Sequence, residues 1–115
     1  MYAGSDDIEE VAWYYGNSDT DNGRETHGVG QKKGNGFGLY DMSGNVLEWV
    51  WDSWRDYKSS SVIDPVYVDT LSSVRVLRGG SWDSDARDTR VSRRGRLDAS
   101  LHFYSLGFRF LRSIP

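Results

Sequence analysis

The sequence contains no cysteine, two prolines and two histidines in 115 residues. Without cysteine there is no disulfide, no thiol nucleophile and no thiolate metal site, and the redox compartment cannot be read. His27 and His102 lie far apart, each in a polar stretch, so neither is expected to ligate a metal. No apolar run approaches the roughly 18–20 residues that span a bilayer, so direct membrane insertion is not expected. The opening "MYAGSDDIEE" lacks the basic and apolar regions of a signal peptide. Localisation stays unknown, with surface display or an extracellular setting open if the chain is part of a longer exported one. "GVGQKKGNG" has the spacing of neither a dinucleotide nor a phosphate loop, and no serine sits in a nucleophile elbow. "DTDNG" resembles the start of a calcium loop. Its glycine falls one position early, and Gly30 stands where the bidentate glutamate belongs, so a solvated loop is expected.

What is present suits one small domain, 1–115. Thirteen glycines favour tight turns, and five tryptophans point to a core built on large rings. Net charge is −3, but residues 1–77 carry 13 acids and 6 bases, whereas residues 78–115 carry 4 acids and 8 bases, all arginine. That asymmetry marks a distinct surface on the last third. Arg87, Arg90, Arg93, Arg94 and Arg96 alternate with Asp83, Asp85, Asp88 and Asp98 without any lysine, so no nucleic-acid partner is expected.

The periodicities are short. "DDIEEVAWYYG" reads as a helical turn or an aromatic strand, and "NSDTDNGRETHG" as a polar loop. Trp49 and Trp51 alternate as in a strand with one buried face, and Val74–Trp82 forms the best strand. "SSSVIDP" is linker-like, "DTRVSRRGR" suits a short helix, and "LGFRFLR" a terminal strand.

At "NGFGLYDMSGNVLEWVWD" the sequence resembles the formylglycine-generating enzyme (sulfatase-modifying factor) family. Asn35, Gly38 to Met42, Gly44, Asn45, Val46, Glu48 and Trp49 meet its pattern, as do Arg78 to Trp82, Arg90 with Arg94, and Gly107 to Arg109. "VAWYYGNS" and "THGVGQKKGN" are similar to the family's middle section, so the resemblance covers nearly the whole chain but only the C-terminal half of the family domain. It implies an α+β, C-type-lectin-like fold with a small antiparallel sheet, one or two short helices and long ordered loops. It also implies that Arg94 and Arg109 tie loops together. The family's oxidase uses two cysteines after the GGS-aromatic motif. Ser84 and Thr89 stand at the matching positions and can neither bind copper nor exchange disulfides, so no enzyme and no required cofactor are expected. Some members bind calcium at a turn whose spacing here gives Asp41, Gly44, Val46 and Glu48. Two readings stand: a structural calcium on oxygen ligands, or Asp41 capping the turn while Glu48 pairs with a structural arginine.

The stretch from Asp83 to Ser105, between "GGSW" and "GFR", follows no period. It resembles the variable region of a second group with this fold, the variable proteins of diversity-generating retroelements. In those systems template AAC codons become NNC, which never encodes Lys, Glu, Gln, Met or Trp. The candidate positions are Asp83, Ser84, Asp85, Arg87, Asp88, Arg93, Gly95, Arg96, Leu97, Asp98, Ser100, Leu101, His102, Phe103, Tyr104 and Ser105, all within the permitted set. Residues 83–105 hold none of the five forbidden types, against 15 in residues 1–82. At that rate so long a gap arises by chance about once in a hundred. Ala86, Thr89, Arg90, Val91, Ser92, Arg94 and Ala99 stand between the candidates, and Trp82, Val91, Arg94 and Phe108 are expected to hold the frame. The resemblance implies a ligand-binding protein with a diversified surface whose partner is an unknown protein or surface ligand. A divergent family domain serving as a structural or interaction module is the alternative. Phe103 and Tyr104 are either exposed anchors or core residues.

Overall fold

The structure, a computed structural model, describes residues 1–63 and 65–112. Asp64 of the "SSSVIDP" stretch and the last three residues of the chain lie outside the described residues. The opening acidic stretch is helical for one turn, α1 (Ile8–Val11). Asp7 caps it by accepting a bond from the Glu9 N–H, and it stops where Ala12 turns extended. Glu9 then accepts from the Tyr14 hydroxyl at 2.6 Å and from Asn17 Nδ2 at 2.9 Å. The bond to Glu9 pushes the Tyr14 hydroxyl pKa up to about 12.

Part of the expected polar loop is a small hairpin, β1 (Asp19–Thr20) and β2 (Gly23–Arg24), antiparallel with Thr20 opposite Gly23. Asp21 and Asn22 make the turn, and Gly23 supplies a φ of 103°. The main sheet contains β3 (Leu47–Ser53), β4 (Val74–Arg78), β5 (Gly95–Asp98) and β6 (Leu106–Gly107), in the order β5-β4-β3-β6. β5 and β4 pair antiparallel, as do β4 and β3, while the two-residue β6 runs parallel to β3.

Several expectations are corrected. β4 ends at Arg78, not Trp82, because Gly79 and Gly80 adopt left-handed φ values of 92° and 71°. "DTRVSRRGR" forms turns and the start of β5 in place of a helix, its Gly95 and Arg96 pairing with Leu77 and Val76. The terminal strand is limited to Leu106–Gly107. Nor do large rings make the core. The buried apolar residues are Val11, Ala12, Val76 and Leu77, and Trp51 is exposed beside an irregularity between β3 and β4.

Hydrogen bonds among small buried polar groups hold the loops instead. Asn45, at φ 65°, is the hub. Its N–H donates to the Trp13 carbonyl at 2.7 Å, and its carbonyl accepts from the Trp82 N–H at 2.9 Å. Its side chain accepts from the His27 N–H at 3.0 Å and donates to the His27 carbonyl at 3.1 Å. One asparagine thus joins three segments, and its amide offers both a donor and an acceptor for that purpose. His27 itself stacks on Trp13 with ring centroids 3.7 Å apart, which gives it a packing role.

Candidate ligand-binding surface

Both ends of the 83–105 segment are fastened by backbone bonds. At its start the Gly44 N–H donates to the Gly79 carbonyl at 2.8 Å, and the Tyr15 N–H donates to the Ser84 carbonyl at 3.0 Å. The Ser18 hydroxyl donates to the Trp82 carbonyl at 2.7 Å. At its end the Leu47 N–H donates to the Ser105 carbonyl at 2.8 Å, where β6 meets β3. Ser81 and Thr89, which are buried, lie within and beside the first anchor.

Between the anchors the candidate side chains lie at the surface. Asp83, Asp85, Arg87, Arg93, Arg96, Ser100, Leu101, His102, Phe103 and Tyr104 are exposed, and Ser84, Asp88, Gly95, Leu97, Asp98 and Ser105 are half-buried. None of the sixteen is buried. Phe103 is 52% exposed and Tyr104 75%, so these rings stand on the surface. Tyr104 leans on Trp82, with ring centroids 5.6 Å apart. Gly95 is open to replacement. An added Cβ would meet Leu77 Cβ at 3.4 Å, ordinary contact, and its φ is not left-handed.

The frame differs from expectation at two positions. Val91 is half-exposed and Phe108 is 68% exposed, with Phe108 packing edge-on against Phe110. Arg94 does tie loops, its guanidinium lying 3.6 Å from the Tyr57 ring centroid and 4.5 Å from that of Trp54.

Two candidate positions are partnered. The Ser84 hydroxyl accepts from the Ser81 N–H at 3.0 Å and lies 2.9 Å from the Ser81 hydroxyl. Asp98 accepts from the hydroxyls of Ser73 and Ser100 and from the Ser100 N–H. These bonds, Ser73's first, hold the Asp98 carboxyl down at about 2. A depressed carboxyl stabilises the fold above its unfolded value, near 4, and loses that contribution as pH falls toward 2. The melting temperature of Asp98→Asn should therefore trail the parent at pH 6, with the gap closing by pH 2. A gap of constant size across that range would show that the carboxylate charge is irrelevant.

The Asp41–Glu48 turn carries the residues expected to meet either a calcium ion or a structural arginine. Asp41, at φ 56°, accepts the Gly30 N–H at 2.7 Å. Glu48 accepts from Arg109 through both oxygens, at 2.7 and 3.0 Å, and Arg109 also donates to the Tyr40 carbonyl at 2.9 Å. Donating to the Glu48 carboxylate raises the Arg109 pKa. Asp41, Val46, Glu48 and Arg109 line a cavity of about 370 Å³. Among the described residues no group of three or more His, Cys, Asp or Glu side chains is placed to hold a metal ion. The Arg109 guanidinium engages both oxygens of the carboxylate that a cation would use, as in the second reading of the turn.

The oxidase's cysteine positions are equally informative. Thr89 is fully buried, its hydroxyl donating to the Ala86 carbonyl at 2.9 Å, and Ser84 is bound into the Ser81 turn. Neither presents a thiol that could ligate copper or exchange disulfides.

A short-stranded sheet, one helical turn and long loops held by internal hydrogen bonds define a C-type-lectin-like α+β domain. The chain belongs to the sulfatase-modifying factor enzyme 1-like family, whose domain matches residues 1–114. Among solved structures it is similar to Treponema denticola variable protein 1, with a TM-score of 0.78 and 38% identity over 91% of this chain and 38% of that one. Among characterised proteins it is 33% identical to the chaperone protein LppX of Paenibacillus barcinonensis, over 97% of this chain and 41% of the relative. It is 40% identical to the formylglycine-generating enzyme of Streptomyces coelicolor, over 65% of this chain and 25% of the enzyme. The chain thus spans about two-fifths of the length of the first two proteins.

Proposed function

We propose that the chain is a non-enzymatic binding module that displays a diversified surface, as a variable protein of a diversity-generating retroelement does. The observation that carries this reading is the contrast along residues 83–105. Sixteen positions whose residues fit the NNC set are all unburied, while the anchors at both ends are fixed by backbone bonds. A rigid frame carrying replaceable side chains is what a ligand-reading surface requires. Exposed Phe103 and Tyr104 supply the aromatic area on which such binding concentrates, beside the adaptable serines and arginines. The partner is a protein or another surface ligand. Serine and threonine at the oxidase's cysteine positions support a role without formylglycine chemistry.

A library randomised at the sixteen positions and sorted for folded protein tests this reading. Most members should fold with melting temperatures close to the parent, because surface changes usually stay within about 0.5 kcal/mol. Binders to chosen proteins should be recoverable, and changing the residues they carry at positions 103 and 104 to serine should cost most of their affinity. In the coding sequence, all sixteen codons should end in C and match AAC codons of a nearby repeat. Mixed third bases, or a library that mostly fails to fold, would favour an undiversified structural module of the same family.

A further inference from the structure

A second concave site adjoins the 83–105 segment and takes Arg94 from it. Asp52, Arg55, Tyr57, Lys58, Arg78 and Arg94 help line a cleft of about 250 Å³. Among the described residues, its lining contains four cations (Arg55, Lys58, Arg78 and Arg94) against two acids (Asp52 and Asp56), in a chain whose net charge is −3. One of the acids is already committed, since Asp52 accepts the Tyr67 N–H at 3.1 Å. Arg78 is held in place by donating to the Val91 and Arg93 carbonyls at 3.2 and 3.1 Å.

Two of the cations are held by rings. Arg55 lies 4.5 Å from the Tyr67 ring centroid, and Arg94 lies 3.6 Å from that of Tyr57. A guanidinium held near an aromatic ring keeps in-plane N–H groups available for an acceptor. Among the described residues, no carboxylate comes within 4.0 Å of Arg55, Lys58 or Arg94, and none of the three donates a side-chain hydrogen bond. Donors held in a concave site, without acceptors among the described residues, suit a ligand that brings its own oxygens.

We propose that this cleft binds an oxyanion, a phosphate or carboxylate group of a small molecule, received in the plane of the Arg94 and Arg55 guanidiniums. Lys58 adds a mobile point charge, and the Tyr57 and Tyr67 rings pack against the body that carries the anion. The site uses none of the sixteen variable positions, so it is constant while the neighbouring surface changes.

The test is a calorimetric and tryptophan-fluorescence titration of the intact chain with inorganic phosphate, and separately with succinate, at constant ionic strength. Saturable binding of either is expected, and whichever binds tighter identifies the source of the oxygens. Arg94→Ala and Arg55→Ala should each weaken it by about tenfold, as loss of a charge-assisted hydrogen bond does. Because Arg94 also ties loops, Lys58→Ala supplies an exposed control that touches no ring. It should fold as the parent and still weaken binding. Phe103→Ser with Tyr104→Ser should leave the titration unchanged, which separates this site from the diversified surface. No saturation with either anion, the same response to chloride, or binding indifferent to Arg55→Ala and Lys58→Ala would overturn the proposal.

Discussion

Gly44→Ala should severely destabilise the domain, although it adds one methyl group to an otherwise unchanged loop. A Cβ at this position would lie 2.2 Å from the Trp13 carbonyl oxygen and 2.8 Å from the Trp13 nitrogen. Both are backbone atoms, so no rotamer change relieves the overlap. The φ of 78° adds the left-handed penalty of about 1–2 kcal/mol. To escape, the turn must move away from Trp13 and break the 2.7 Å bond from Asn45 to the Trp13 carbonyl. The Gly79 and Trp82 bonds to the same turn move with it, at about 1 kcal/mol each. The total reaches about 4 kcal/mol or more, a large share of the roughly 5–15 kcal/mol that keeps a small domain folded. Far-ultraviolet circular dichroism and thermal melting provide the check. Gly95→Ala is the matched comparison, since its Cβ finds only ordinary contact, and it should melt within a few degrees of the parent. A well-folded Gly44→Ala protein would mean that the GN turn does not organise the loops.

Much of the architecture was legible because motifs with strict backbone needs leave strict residues. Gly44–Asn45, Gly79–Gly80 and the Gly107–Arg109 end are visible in the sequence, and each proves to be a left-handed turn, an anchor or a pairing site. The displayed segment was legible for the opposite reason. Candidate side chains that stay unburied need no period, and residues 83–105 have none. The expected core was not borne out. Tryptophan and phenylalanine predict burial by their size, yet the buried set is mostly Ser, Thr, Asn, Val and Ala. Loops crossing the interior bring unpaired N–H and C=O groups, and small hydroxyl and amide side chains satisfy these where rings cannot. Val29, Phe37, Phe108 and Phe110 are exposed instead, in a chain about two-fifths the length of its structural neighbour. The false helix at "DTRVSRRGR" arose from local propensity, which pairing with Val76 and Leu77 overrides. The cationic cleft was not legible, because Arg55, Arg78 and Arg94 are distant in sequence and meet only through the β3–β4–β5 pairing.

Removing Arg109 should be the most damaging single loss of charge in the molecule, and it decides what the Asp41–Glu48 turn holds. The Glu48 and Arg109 side chains are 18% and 30% exposed, and both Glu48 oxygens are engaged. Arg109→Ala would strand a largely buried carboxylate and leave the Tyr40 carbonyl without its donor. Breaking a fully buried pair costs about 3–5 kcal/mol, and partial exposure reduces this to about 2–3 kcal/mol. Arg109→Lys should recover little, because one ammonium cannot reproduce the two-pronged bond to Glu48 together with the bond to Tyr40. Glu48→Gln keeps the shape and removes the charge, and in the Arg109→Ala background it should restore part of the lost stability by relieving the stranded carboxylate. Calcium separates the two readings of the turn. With the guanidinium in place, the parent's melting temperature should not change with millimolar calcium or with chelator. A calcium-bound site would instead gain about 2.7 kcal/mol at a hundredfold excess over its dissociation constant. Arg109→Ala vacates Glu48 beside Asp41 and the open cavity, so any calcium stabilisation should appear in that variant and disappear again in Arg109→Ala with Glu48→Gln. A parent protein stabilised by calcium would show instead that Glu48 exchanges its arginine for a metal ion, and that Arg109 is a gate on the site and not its permanent occupant.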